Sequence, residues 1–385
     1  MLNCLSVAGR RIALLVIVCF LTFLLLHFLS DTFFKQHGTL SPVVFPALTL
    51  LLIVFHIIIA CFMLMKSVCN SRRLYLTPIA CAFIGSALMM LGTIGSYPRW
   101  FLCDSFAQIN DNDAAIFFFF RNLMMALLFN TAIILYHFRH REKQSRGHHS
   151  IILSGILLFT ALMLALAWTY SSNSPRLSVQ FIDNVTRSFT PLWRDRIGWF
   201  VVGLWSMTLF NLLVISRLRN IFWYSGAFFC VCYMVTQGIL LSAYNSENYA
   251  WYHARLLETA ATLFIIFVLL SDIFTLYRRS HQNYLVSWQN SIRDPLTRLF
   301  NRSYFYDSLT RKLRMASRDR PVSVLVSDLD HFKRINDTFG HLQGDKVIQF
   351  AANVLQENAR KNDVAARIGG EEFVLLLNET TASDA

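Results

Sequence analysis

Charge is what this sequence has least of. Only 15% of its 385 residues are Asp, Glu, Lys or Arg, against about 25% in a soluble globular domain. That shortage, together with 55% hydrophobic residues and only 15 glycines and 8 prolines, excludes a disordered chain, a collagen-like fibre and an ordinary cytosolic enzyme. The eight cysteines offer neither a disulfide framework nor zinc-ligand spacing. Cys19, Cys61, Cys81, Cys230 and Cys232 sit inside apolar runs and read as buried thiols. No Gly-x-x-x-x-Gly-Lys-Ser/Thr loop occurs, so a Walker-type phosphate cradle is absent. What is there instead is apolar. The chain is 55% hydrophobic with 34 phenylalanines, and its mean hydropathy is +0.44. Lipid is the solvent for much of it.

Acidic residues are unevenly scarce. Residues 1–280 hold 21 Lys/Arg and 10 Asp/Glu, whereas 281–385 hold 14 and 13. The basic excess belongs to the apolar part, which removes nucleic acid as the expected partner. A hydrocarbon core takes about 20 apolar residues per helix. Eight runs meet this, at about 12–30, 43–65, 75–95, 114–136, 150–170, 197–215, 221–243 and 257–277. The first follows Arg10 and Arg11 without a small-residue cleavage site and reads as a retained anchor. Alternate connections carry the basic residues: Lys66, Arg72 and Arg73; Arg139 to Arg146; Arg217 and Arg219; Arg278 and Arg279. This asymmetry places both termini in the cytoplasm, the long loop 171–196 weighing little.

Polar residues His56, Arg121, Asn122, Asn130, Glu258 and Asp272 fall within or at the ends of these runs. They read either as a ligand or proton site or as interhelical hydrogen bonds, with Arg121 a partner for Glu258 or Asp272. Trp100, Trp193, Tyr249 and Trp251 read as interfacial belt residues. After Arg279 the composition changes. Tyr277, Tyr284, Leu285, Trp288 and Ile292 fall on one helical face. The connector is therefore a dimer stalk, or a single helix on the membrane surface.

Beyond it the pattern is that of a small α/β domain. A helix is predicted over 302–317, with Phe305, Leu309 and Leu313 four apart, and a buried strand over 322–326. That strand runs into Asp328-Leu329-Asp330-His331-Phe332-Lys333. Asn336-Asp337, Gly340-His341 and Gly344-Asp345 follow at turns, then a helix with Val347, Ala351, Val354 and Leu355 on one face. Gly369-Gly370 between two apolar runs predicts a hairpin with Glu371 and Glu372 at its tip. Hard cations in phosphate chemistry take one or two carboxylates plus substrate oxygens. Asp328 and Glu371 suit that role if their strands are neighbours, and Lys333 suits phosphate as a point charge.

Asp-Pro-Leu-Thr at 294–297, Asp-x-Asp-x-Phe-Lys-x-x-Asn-Asp at 328–337, Gly-His-x-x-Gly-Asp at 340–345 and Arg-x-Gly-Gly-Glu-Glu-Phe at 367–373 together resemble the GGDEF domain of bacterial diguanylate cyclases. The apolar half resembles a membrane-associated sensor domain of the kind that precedes such domains. The resemblance implies a polytopic α-helical membrane domain of about eight spans at 1–277, an amphipathic linker at 278–293 and an α/β, nucleotidyl cyclase, palm-like domain at 294–385. The family's domain continues past the hairpin, so the expectation is a domain incomplete at its C-terminus. The implied reaction condenses two GTP to cyclic di-GMP and two pyrophosphates across a homodimer in the bacterial inner membrane.

Asp328, the Leu329 carbonyl and Glu371 would hold two Mg2+ per site, with Mn2+ as an alternative, and Glu371 would accept the 3′-hydroxyl proton. Asn336 and Asp345 would read guanine, His341 would contact the nucleotide, and Lys333 with the backbone near Phe332 would hold phosphate. Arg360 and Asp363 match the family's Arg-x-x-Asp product-inhibition site. A non-enzymatic cyclic di-GMP receptor built on that site is the alternative reading. Arg298 stands where the family usually has Gly, after Asp-Pro-Leu-Thr.

Overall fold

A backbone in lipid must satisfy its own N–H and C=O groups, so long apolar runs fold as helices. The prolines of these runs cooperate. Pro46 and Pro78 fall in first turns, where a missing N–H has no cost. The computed structural model describes residues 7–37, 44–69, 73–96, 110–139, 146–172, 174, 177–183, 185–186, 188–243, 250–318 and 320–385. Trp100 and Tyr249 lie outside these residues. Each of the eight apolar runs is helical: α1 (Val7–His37), α2 (Val44–Cys69), α3 (Leu76–Gly95), α4 (Asp111–Phe138), α5 (Arg146–Tyr170), α6 (Gly198–Ser216), α7 (Ile221–Ser242) and α8 (Ala250–Ile292). Among the described residues, seven helices (α2 to α8) are long and apolar enough to cross a membrane.

The chain divides into two units, Met1–Asp272 and Ile273–Ala385. In the first, the long loop between α5 and α6 is folded. It carries a two-residue hairpin, β1 (Ile182–Asp183) with β2 (Ser188–Phe189), and a π-helical turn at Trp193–Ile197. Asn112 at the start of α4 pins the hairpin, its Oδ1 accepting from the Phe181 and Ile182 N–H groups at 2.7 and 3.1 Å. Trp193 and Trp251 are buried against Phe118 and Phe189. They are core residues of the folded loop and α8, in place of the expected belt, because the hairpin supplies aromatic partners that remove both indoles from the surface.

The polar residues of the spans hydrogen-bond between or within helices. Arg121 pairs with Glu258, and Arg255 Nη1 reaches the other carboxylate oxygen at 2.8 Å. The Trp205 Nε1–H donates to Asn122 Oδ1 at 3.0 Å, and Asn130 bridges Thr208 and Asn211 at 2.6 and 2.9 Å. His56 Nε2 lies 3.5 Å from the Thr262 hydroxyl. Lys66 pairs with Asp272.

In the second unit, α8 continues to Ile292, with Tyr277, Tyr284, Leu285 and Trp288 exposed along it. There follow β3 (Phe300–Asn301), α9 (Arg302–Leu313), β4 (Val322–Asp328), α10 (Phe332–Phe339), α11 (His341–Asn358), β5 (Val364–Arg367) and β6 (Glu372–Asn378). The sheet order is β3-β5-β6-β4, with β3 parallel to β5 and the other pairs antiparallel. Period-two alternation divides the core. Ala365 and Phe373 meet Phe332, Ile348 and Ala352 of α10 and α11 on one face. Val364, Ala366, Val374 and Leu376 meet Phe305 of α9 on the other.

Two helices differ from expectation. α9 ends at Leu313, which is exposed, four residues short of the predicted end. α11 begins at His341 and buries Ile348 and Ala352, leaving Val354 exposed. Its earlier start comes from Gly340, whose φ of +80° separates α10 from α11.

Candidate active site

The β-branched run of β4 holds Asp328 at the strand's end. The register of the antiparallel pair sets Asp328 directly opposite Glu372 and Ser327 opposite Phe373. One step further, the Leu329 N–H donates to the Glu371 carbonyl at 3.3 Å. Glu371 is at the hairpin tip as expected, whereas Glu372 opens β6. The expected neighbour relation between the two strands is thus met. Asp328 and Glu372 are exposed and Glu371 is half-buried.

Like charges directly opposite on a sheet destabilise it unless a counter-charge intervenes. Among the described residues no group of three or more His, Cys, Asp or Glu side chains converges as a metal cage. What the register brings together is Asp328 opposite Glu372, with Glu371 one step beyond. This fits a divalent cation that completes its shell with substrate oxygens and water.

A second group assembles beside α10. Lys333 is in the first turn of that helix, exposed, where the N-terminus favours anions. Phe332 is buried in the core and fixes the turn. Asn336, on the next turn, has a buried Oδ1 with no hydrogen-bond partner among the described residues. Its carboxamide packs against Gly344, and a Cβ there would collide with it. Gly344 and Asp345 lie in the opening turns of α11, and not in a separate turn as the sequence suggested, because the helix starts at His341. His341 is exposed and Asp345 half-buried. Asn336 and Gly344, eight residues apart in two different motifs, therefore meet at one orphaned amide.

Arg360 and Asp363 lie at the turn before β5. Asp363 is engaged with backbone: Oδ2 accepts from the Arg360 N–H and Oδ1 from the Asn378 N–H, both at 3.0 Å. The Arg360 side chain is exposed.

Two residues given no role by the sequence hold the hairpin. Arg367 donates to the Gly370 carbonyl from Nε and Nη2 at 3.2 and 2.6 Å, and to Asp294 Oδ1 from Nη1 at 3.1 Å. The same Asp294 oxygen accepts from the Thr297 N–H and hydroxyl at 2.9 and 2.7 Å. Burial pushes the Asp294 carboxyl up, but the Thr297 and Arg367 hydrogen bonds outweigh it and hold it below its ordinary value. Both residues stand in the quoted motifs, which was the signal available. Arg298, after the same motif, has φ +63°, a conformation that explains the glycine usual there.

Both parts of the chain match known protein families. Residues 39–277 match MASE4, a membrane-associated sensor, integral membrane domain. Residues 291–385 match the diguanylate cyclase GGDEF domain. The chain is 27% identical over 273 residues to the probable diguanylate cyclase DgcT of Escherichia coli K12, covering 71% of this chain and 59% of that protein. It is 48% identical over 94 residues to the diguanylate cyclase DgcP of Pseudomonas aeruginosa, covering 24% and 14% respectively. Among solved structures, the coiled coil and GGDEF domain of DgcB from Caulobacter crescentus in complex with c-di-GMP is 34% identical. That match covers 30% of this chain and 60% of that one, with a TM-score of 0.28. The chain spans less than two thirds of the length of these curated relatives. With more than half of its residues matched by the sensor model and residues 291–385 by the GGDEF model, the chain belongs to the MASE4 membrane-associated sensor family and carries a GGDEF domain after its membrane domain.

Proposed function

We propose that the chain is a membrane-bound diguanylate cyclase that condenses two GTP to cyclic di-GMP and two pyrophosphates. The observation that supports this reading most is the β4–β6 register, which sets Asp328 and Leu329 against the Gly-Gly-Glu-Glu tip. In each half-reaction a ribose 3′-oxygen bonds to the α-phosphorus of the other GTP. The bond from that phosphorus to the β-phosphate oxygen breaks, and pyrophosphate leaves. Glu371 takes the hydroxyl proton. Asp328, the Leu329 carbonyl and Glu371 would hold two Mg2+ or Mn2+ ions, which supply charge neutralisation to the attacking and leaving oxygens.

Lys333 and the α10 N-terminus bind phosphate. Asp345 accepts from the guanine N–H donors, Asn336 satisfies the remaining edge of the base and His341 contacts the nucleotide. Arg360 and Asp363 form the product-inhibition site, Asp363 shaping the turn from which Arg360 projects. The exposed stripe of α8, with Tyr277 and His281 stacked at 6.3 Å and Tyr284 and Trp288 following at spacings of three and four, suits a parallel homodimer stalk. Two GTP molecules then face each other across the partners. Because GTP is cytosolic, the reading requires the GGDEF domain on the cytoplasmic side of the inner membrane; an even number of spans would place the N-terminus there too.

The test is turnover by the purified full chain with GTP and Mg2+. Cyclic di-GMP should form and disappear in Glu371→Ala. Absence of product from the unaltered chain at high protein concentration overturns the reading.

A further inference from the structure

A cavity of about 430 Å³ opens at one end of the helical bundle. There α2 ends, α3 and α7 begin, and α8 passes. The volume is that of a ligand-holding cleft. Its charge is one-sided. Lys66, Arg73 and Arg219 line it against a single carboxylate, Asp272. Lys66 and Asp272 pair with each other, which leaves two guanidinium groups. Both arginines are exposed, and among the described residues no ion pair or hydrogen bond engages either side-chain head.

The way Arg219 reaches the wall is informative. The turn between α6 and α7 holds two consecutive non-glycine residues in the left-handed region, Arg217 at φ 48° and Leu218 at φ 50°. Such conformations persist only where surroundings impose them, and they cluster at functional sites. Here the Leu218 N–H donates to Ser216 Oγ at 3.1 Å, and its carbonyl accepts from Arg11 Nη1 of α1 at 3.3 Å. The strained turn delivers Arg219 and Asn220 to the cavity.

The backbone adds to the same field. Tyr75 and Asn220, the residues before α3 and α7, make no side-chain cap to their helices. Leu76 and Ile221 to Trp223 line the cavity, and as first-turn residues they carry N–H groups without intrahelical acceptors. Two positive helix ends reinforce the two arginines. The remaining wall is apolar and aromatic, with Tyr75 and Trp223 at 5.9 Å.

We propose that this cavity binds a phosphate ester, with Arg73 and Arg219 as its charge partners. The group is the headgroup of an anionic lipid or a small soluble phosphate ester, which share this chemistry. The site lies wholly in the membrane unit and stands whether or not the C-terminal domain turns over GTP.

The test uses the full chain in neutral detergent, with thermal unfolding followed against short-chain phosphatidylglycerol and, separately, glycerol 3-phosphate. Short-chain phosphatidylcholine is the uncharged control. A saturable rise in the midpoint with phosphatidylglycerol alone establishes the lipid source, and the same rise with glycerol 3-phosphate establishes the soluble one. Arg73→Gln with Arg219→Gln should weaken the half-maximal concentration by about fivefold for each cation removed. Arg73→Lys with Arg219→Lys should recover part of it. The proposal is overturned if neither anion shifts the unaltered chain more than phosphatidylcholine does. It is equally overturned if the glutamine variant, with an unchanged midpoint in the absence of anion, responds as the unaltered chain does.

Discussion

The Asp294 carboxylate, just past the end of α8, accepts a 3.1 Å hydrogen bond from the Arg367 guanidinium, two residues before the Gly369-Gly370 turn. The same guanidinium grips the Gly370 carbonyl. One side chain thereby ties the point where the helical connector ends to the hairpin that carries Glu371. Arg367 touches no reacting atom in the proposed mechanism; it positions the hairpin. Arg367→Ala is expected to lower kcat by about a hundredfold, the usual consequence of a misplacement of about 1 Å at a reacting centre. KM for GTP should change far less, because the residues proposed to read guanine sit on α10 and α11. Steady-state kinetics of the full chain separate the two quantities.

The tie has a pH limit with a definite sign. The folded Asp294 carboxyl lies below its ordinary value, so its contribution is fully present above about pH 3.9 and is lost as pH falls through the lower folded value. The midpoint difference between the unaltered chain and Asp294→Asn should be constant above about pH 5 and vanish below that lower value. A difference that instead disappears toward alkaline pH contradicts the assignment.

Within the bundle, Glu258 serves Arg121 and Arg255 at once, one oxygen each. Glu258→Ala deprives two buried guanidinium groups of the carboxylate they share. A loss of about 3–5 kcal/mol is expected from breaking such a buried pair. Thermal unfolding in detergent measures it, and replacement of Glu258 together with Arg121 by apolar residues should restore part of the loss.

Arg298 at φ +63° carries a side chain in a region where a Cβ is unfavourable. Arg298→Gly removes that strain and keeps the backbone hydrogen bond from Arg298 N–H to the Asp294 carbonyl at 2.9 Å. The variant should be more stable by about 1 kcal/mol. Denaturant unfolding of the second unit reports the change.

Gly344→Ala places a methyl group against the Asn336 carboxamide. The amide must turn away from the position in which its oxygen is free. KM for GTP is expected to rise about tenfold, the worth of one hydrogen bond to an oriented polar group. Gly344→Ala with Asn336→Ala should cost no more than the more damaging of the two single changes.

Much of this was legible in the residues because the signals are local. Apolar runs of membrane-crossing length, the β-branched Val322–Val326 segment and Gly-Gly between two apolar runs each predict one element, and each element is present. The juxtaposition of Asp328 with the hairpin followed from those elements being neighbours. What was missed depends on partners distant in sequence. Trp193 and Trp251 have amphipathic rings that suit an interface or a core equally, and the decision came from Phe118 and Phe189. The phase of α11 was set by Gly340, the first of the two glycines placed at turns, whereas the second, Gly344, lies inside the helix. Arg367 was invisible as a tether because its acceptors, Asp294 and Gly370, lie 73 residues before it and 3 after it.

The sheet order β3-β5-β6-β4 gives β4 a strand neighbour on one side only among the described residues. Val324 and Val326 on it are 44% and 67% exposed. A strand with outward-facing N–H and C=O groups and β-branched side chains is a template for any further strand that meets it. Among the described residues, the element that presents Asp328 is therefore also an open edge of the sheet. Whatever segment pairs with that edge will stiffen the end of β4, so sheet extension and carboxylate placement are mechanically one event.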